Sequence, residues 1–289
     1  MSNTLDAPIL AVRGLCKNYG TFTLHDVNFD LPRGYIMGFI GPNGAGKTTT
    51  IKLILDVIKG DSGSVTLFGH EESNVQNENI GVVTDAPLYV DDWTVDDVEK
   101  AVSPFYQRWD KNTFADLLQQ FGLDRKKKTK ELSRGMKVKL QIAAALSHHA
   151  TLLILDEPTS GLDPVAREEI CDLLRAFISD ENKSVLFSTH ITSDLEKIAD
   201  YITFILNGHI VFTGTKDDLL DKYARVTGGL SDVSDEQKKS IIGYRAYETG
   251  FEGMVEITDI QKLPDSVLSE EISIEEIIIF MSKGAILDA

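Results

Sequence analysis

The chain has 289 residues, 42% hydrophobic and 26% charged, with 22 Gly and 8 Pro, a folded globular composition with room for one large domain and an appendage. Its formal net charge of −16 leaves no basic face to neutralise phosphates, so no nucleic acid partner is expected. Cys16 and Cys171 match no metal or redox spacing and read as reduced thiols. The first residues lack a signal peptide's basic start and apolar core, and no apolar run approaches the ~18 residues that cross a bilayer. Work at a membrane would therefore require a partner.

Residues 9–13 and 22–36 alternate apolar with polar side chains, and this pattern predicts antiparallel strands. From Tyr35 a short apolar run, YIMGFI, gives way to glycines and then to TTTIKLILDVI, which reads as strand, loop and helix. Residues 91–146 are mostly helical in pattern, with the basic run 125–130 read as a solvated turn. Inside that region LSRGMKVKL (132–140) places a serine before helical periodicity, an N-capped helix start. TLLILD (151–156) and SVLFST (184–189) read as fully buried strands of a parallel sheet, with an amphipathic helix at 165–178 between them. Residues 201–214 form a hairpin through Asn207-Gly208. After about Tyr223, glycine pairs, short strand-like pieces and a final helix opened by a Ser273-x-x-Glu276 capping box indicate a small appended unit.

The stretch Gly41-Pro42-Asn43-Gly44-Ala45-Gly46-Lys47-Thr48, followed by Thr49, fits G-x-x-x-x-G-K-[ST] between a strand and a helix. Glycines let successive N–H groups turn inward on a phosphate, and the helix N-terminus adds partial positive charge. Lys47 neutralises the outer phosphates, and Thr48 offers its hydroxyl to Mg²⁺. Such a loop needs an acid on a second strand for its magnesium, which Leu152-Leu-Ile-Leu-Asp156 supplies. Glu157 follows, where a carboxylate orients and deprotonates an attacking water. His190 arrives at the same sheet edge after SVLFST.

Taken in order, these motifs over about residues 8–220 resemble the ATP-binding subunits of ABC transporters. The set comprises Tyr19 as the aromatic A-loop residue, the Walker A motif, LSRGM as the signature, Walker B at 152–157, Ser160-Gly-Leu-Asp163 as the D-loop and His190 as the switch histidine. The wording of 109–146 is similar to export-type bacterial subunits of the bacitracin and antimicrobial-peptide efflux kind. The resemblance implies an α/β P-loop NTPase with a mainly parallel core sheet and an N-terminal antiparallel β subdomain. It also implies a helical signature subdomain at about 88–147 and a small C-terminal α+β appendage, with domain limits 8–222 and 223–289. It implies ATP and Mg²⁺ as ligands, Tyr19 stacking on adenine, Ser133 and Gly135 holding a phosphate of a neighbouring subunit's nucleotide, and Asp163 aligning the two subunits. His190 would touch the γ-phosphate and steady the water held by Glu157.

Two positions depart from that family's usual pattern. Asp85 stands where glutamine is usual, and it reads equally as a magnesium contact or as the start of a turn before Pro87. Arg134 and Met136 stand in the signature where glycine and glutamine are usual. With one Walker A and one signature, the chain needs a second ATP-binding subunit, identical or paralogous, and separate integral membrane permease subunits. The implied place is cytoplasmic, peripheral on the inner face of the cell membrane, and the implied work is ATP-driven export of a peptide, drug or other amphipathic compound. A soluble ABC-type ATPase acting on ribosomes or nucleic acid is the alternative. The C-terminal unit would modulate turnover, aid dimerisation or cap the fold.

Overall fold

The computed structural model describes residues 7–71, 77–85 and 89–287. The N-terminal reading at residues 1–6 and the turn expected before Pro87 lie outside the described residues.

In chain order the elements are β1 (Leu10–Asn18), β2 (Thr23–Leu31), β3 (Ile36–Ile40), α1 (Lys47–Ile54), β4 (Ser62–Leu67), β5 (His70–Glu71) and β6 (Ile80–Val83). Then follow α2 (Val95–Val102), α3 (Lys111–Gln120), α4 (Arg134–Ser147), β7 (Leu152–Asp156), α5 (Pro164–Phe177), β8 (Ser184–Thr189), α6 (Thr192–Ile198), β9 (Tyr201–Leu206) and β10 (His209–Thr215). The last part holds α7 (Lys216–Leu220), β11 (Tyr223–Gly228), α8 (Asp235–Ser240), β12 (Ile242–Tyr247), β13 (Gly250–Glu256), β14 (Leu268–Glu270) and α9 (Ile274–Leu287).

The chain divides into two compact units, Met1–Thr213 and Gly214–Ala289, a division nine residues before the 222/223 limit read from the sequence. In the first unit a four-stranded sheet in the order β2-β1-β4-β5 is antiparallel throughout its pairs. A six-stranded sheet runs β10-β9-β3-β8-β7-β6, and its central pairs are parallel. Strands β3, β7 and β8 are buried at every residue, as short apolar runs covered on both faces must be. The two sheets share a core in which Leu10, Val12 and Leu31 meet Phe39, Ile154 and Leu186. Asn207 and Gly208 both have positive φ, the backbone that a two-residue hairpin between β9 and β10 requires.

A separate cluster of Val95, Val98, Phe114, Leu118 and Leu140 unites α2, α3 and α4. The caps here are local chemistry. Thr94 and Asp97 form a reciprocal capping box on α2, and Asp110 accepts from two N–H groups of α3. The basic run 125–130 is more than a solvated turn: Arg125 pairs with Asp96 and Glu99, while Lys128 and Lys130 pair with Asp92. The second unit is a sheet in the order β12-β13-β11-β14, with a core of Val226, Ile241, Phe251 and Val255. Its last helix opens on the reciprocal Ser273–Glu276 box.

Candidate nucleotide site

The glycine loop, Asp156, Glu157 and His190 arise at the same ends of β3, β7 and β8, which neighbour one another as parallel strands of the six-stranded sheet. Strand β3 delivers the glycine loop 41–46 into α1. An alanine methyl at Gly41 would stand 2.3 Å from the Ile205 carbonyl oxygen, and Gly44 and Gly46 have φ of +82° and +117°. The loop is therefore a backbone cradle that side chains would destroy. Helices α2 to α5 each begin with a side-chain cap, Ser133 on α4 and Asp163 on α5 among them. Helix α1 begins at Gly46 with no side-chain cap and no acidic residue in its first turn. First-turn N–H groups without an internal acceptor are the donors that an anion takes up.

Lys47 is buried, and its ammonium donates to the carbonyls of Gly41 at 2.7 Å and Pro42 at 3.3 Å. It also ion-pairs with Glu157 at 3.1 Å. The other oxygen of Glu157 accepts from His190 Nδ1 at 2.8 Å, so Lys47, Glu157 and His190 form one chain of contacts from three elements. Glu157 has φ +51°, a left-handed backbone that costs a non-glycine residue about 1 kcal/mol and marks a position held by its surroundings. Its N–H is held by Ser188, through the carbonyl at 3.1 Å and the hydroxyl at 3.0 Å. The same hydroxyl donates to Asp156 at 2.6 Å. Ser188 thus orients both acids of the strand end.

A second group gathers at the heads of α4 and α5. The Ser133 hydroxyl accepts from the Met136 N–H at 3.3 Å, and a methyl at Gly135 would stand 3.3 Å from Ala166 on α5. Asp163 accepts from Ala166 and Val165, each at 3.0 Å, and these N–H groups hold its carboxyl below the usual carboxylate range. Asp85 ion-pairs with Arg134 and so joins this second group. Tyr19 is half exposed with the Lys17 ammonium 5.8 Å from its ring centre. A shallow recess of about 320 Å³ lies just beyond it, lined by Gly20, Phe22, His25, Gly44 and Asn207.

The comparisons with known proteins show the family. Residues 24–160 match the family described as ABC transporter. The lantibiotic transport ATP-binding protein SrtF of Streptococcus pyogenes is 37% identical over 207 residues, covering 70% of this chain and 89% of that protein. The bacitracin transport ATP-binding protein BcrA of Bacillus licheniformis is 35% identical over 209 residues, 70% of this chain and 68% of that protein. A solved structure described as the ATP binding subunit of an ABC transporter superposes with a TM-score of 0.66 at 28% identity, covering 73% of this chain and 91% of that one.

The chain belongs to the ATP-binding subunits of ABC transporters.

As such a subunit it binds nucleotide and hydrolyses ATP, and the alternative of an ATPase acting on ribosomes or nucleic acid is set aside. Among the described residues no helix is long and apolar enough to cross a membrane. This ABC subunit also contains contacts around the site that no motif includes. Ser188 is one, and its signal was a polar residue in a buried run two positions before His190. Asp194 is another: it is buried on α6, accepts from the Thr159 hydroxyl at 2.6 Å, and lies 3.7 Å from Arg167. Burial pushes its carboxyl up from the ordinary value. The loop carrying Thr159 and the helix after His190 are tied together through it.

Proposed function

We propose that this chain is the cytoplasmic-face motor of an exporter, in which two ATP-binding subunits close head-to-tail over two ATP–Mg²⁺. The observation that carries the reading is the separation of the site into two groups. Lys47, Glu157 and His190 are joined to one another around the glycine cradle. Ser133 and Asp163 instead make their hydrogen bonds within the first turns of their own helices. A cradle without a signature and a signature without a cradle complement each other when two copies meet.

In this reading the loop 41–46 and the first N–H groups of α1, Thr49 included, hold the phosphates, with Lys47 on the outer ones. Thr48 and Asp156 are hard oxygen donors suited to Mg²⁺, which neutralises phosphate charge when bound. Glu157, held by Lys47 and His190, orients and deprotonates the attacking water, and His190 keeps that carboxylate aimed. Tyr19 stacks on adenine, and Ser133 and Gly135 take a phosphate of the opposite subunit's ATP. A recess of about 340 Å³ beside β6, lined by Val82, Tyr89, Trp93, Phe105 and Tyr106, suits an apolar element of a permease, and Phe105 is 83% exposed. Export of an amphipathic peptide or drug is the cargo class that the relatives' names support.

The test is purification of the tagged chain from detergent-solubilised membranes of its host. A stoichiometric multispanning protein that changes the subunit's ATPase rate is the expected result. Ribosomes alone as the bound partner would contradict the proposal.

A further inference from the structure

The two departures from the family's usual pattern touch each other. Arg134, the first residue of α4, ion-pairs through Nη2 with Asp85 Oδ1. Asp85 lies two residues beyond β6, whose parallel register with β7 pairs Val83 with Leu155. The loop after β6 therefore starts at the same end of two neighbouring parallel strands as the loop after β7. The loop is gripped a second time from the same helix face, seven residues further along α4. There Gln141 Oε1 accepts from the Thr84 N–H at 3.0 Å, and Nε2 donates to the Thr84 carbonyl at 3.3 Å. The stem of Arg134 lies over the loop after β7: a methyl at Gly161 would stand 3.4 Å from its Cδ and 3.5 Å from its Nε. Gly161 has φ +69° and precedes the Asp163 cap by two residues. One side chain therefore spans from the signature helix to the loops of two neighbouring strands.

We infer that Arg134 is a positioning residue that neutralises Asp85 and binds the loops after β6 and β7 to the signature helix. The inference rests on the reading of 41–49 as the ATP site. Its physical content is charge. Without Arg134, Asp85 is an uncompensated carboxylate on the loop after β6, the strand next to the one that ends in Asp156, and adds negative charge at the sheet end that receives a triphosphate. Without Asp85, the guanidinium stands there unpaired and favours an anion. Where the family usually has a neutral glutamine and a glycine, this chain has a matched pair of opposite charges.

The experiment is a double-mutant cycle read as KM for Mg-ATP and kcat, with binding of a fluorescent ATP analogue measured in parallel. The pair is half exposed, so the expected effect is modest. Arg134→Gly should raise KM by about three- to fivefold with kcat within about twofold. Asp85→Gln should leave KM at or below the wild-type value, and the double variant should return to within about twofold of wild type. Arg134→Lys should recover part of the loss, because it restores charge without the planar fork. Raising salt should narrow the KM difference between Arg134→Gly and wild type, because it screens the uncompensated Asp85 charge. A double variant no better than Arg134→Gly, or an unchanged KM in Arg134→Gly, would overturn the inference. Failure of wild type itself to bind the analogue would instead overturn the assignment of the ATP site.

Discussion

Replacing Ser188 by alanine isolates the contact that orders the acidic strand end. Ser188 is fully buried on β8 and donates to the Asp156 carboxylate at 2.6 Å, while its hydroxyl shares the Glu157 N–H with its own carbonyl. Alanine removes the charge-assisted bond but leaves the Glu157 N–H an acceptor at 3.1 Å, so one strong hydrogen bond is lost rather than two. A hydrogen bond to a charged group contributes about 1.5–3 kcal/mol, which for a unit of this size corresponds to a fall in Tm of about 3–12 °C. If Asp156 takes Mg²⁺, losing its orienting hydrogen bond weakens that binding, so Mg-ATP should stabilise the variant less than wild type and the deficit should widen when Mg-ATP is added. The assay is thermal unfolding of wild type and Ser188→Ala with and without Mg-ATP, together with a magnesium titration of ATPase activity. The variant should require severalfold more magnesium for half-maximal rate. A Tm within about 1 °C of wild type and a superimposable magnesium curve would refute the reasoning.

Gly41→Ala should cost about 1–3 kcal/mol in urea unfolding, because the methyl meets the Ile205 carbonyl, a backbone atom that cannot swing aside; an unchanged midpoint would show that the loop can relax. His148 is buried, stacks on Tyr106 at 3.9 Å and donates through Nδ1 to the Glu78 carbonyl at 3.0 Å. Burial lowers its pKa from 6.5, so the unfolded chain binds a proton that the folded one refuses. Its stabilisation is complete above about pH 6.5 and is lost as the pH falls from there through the lowered value. His148→Gln should flatten that acid-side slope in urea titrations between about pH 7.5 and 5.5, and an identical slope would assign it to other groups.

The parts of the site legible in the sequence are those written in consecutive residues. The glycine loop, the acid after LLIL and the serine before an apolar period each carry their geometry locally, so Lys47, Asp156, Glu157 and Ser133 were identifiable from pattern. The contacts that order these residues are not local. Ser188 reaches Asp156 across 32 positions, Gln141 reaches Thr84 across 57, and Arg134 reaches Asp85 across 49. Parallel strand order creates such neighbours, and neither residue of a pair announces the other. The same holds for elements. Strands β3, β7 and β8 are plain apolar runs, whereas β4 begins with the exposed Ser62-Gly63-Ser64 and carries no strand signal. The periodicity of the first helix runs to residue 58, but the helix ends at Ile54 because Asp56 takes a left-handed backbone that turns the chain away.

The central claim, a site completed only when two subunits close over ATP, is tested most directly by Glu157→Gln. Phosphate release should fall by at least about 100-fold, because the water loses its base. Size-exclusion chromatography with light scattering should show the variant as a monomer without nucleotide and as a stable dimer with Mg-ATP. Turnover within about tenfold of wild type, or a variant that stays monomeric at saturating Mg-ATP, would contradict the account.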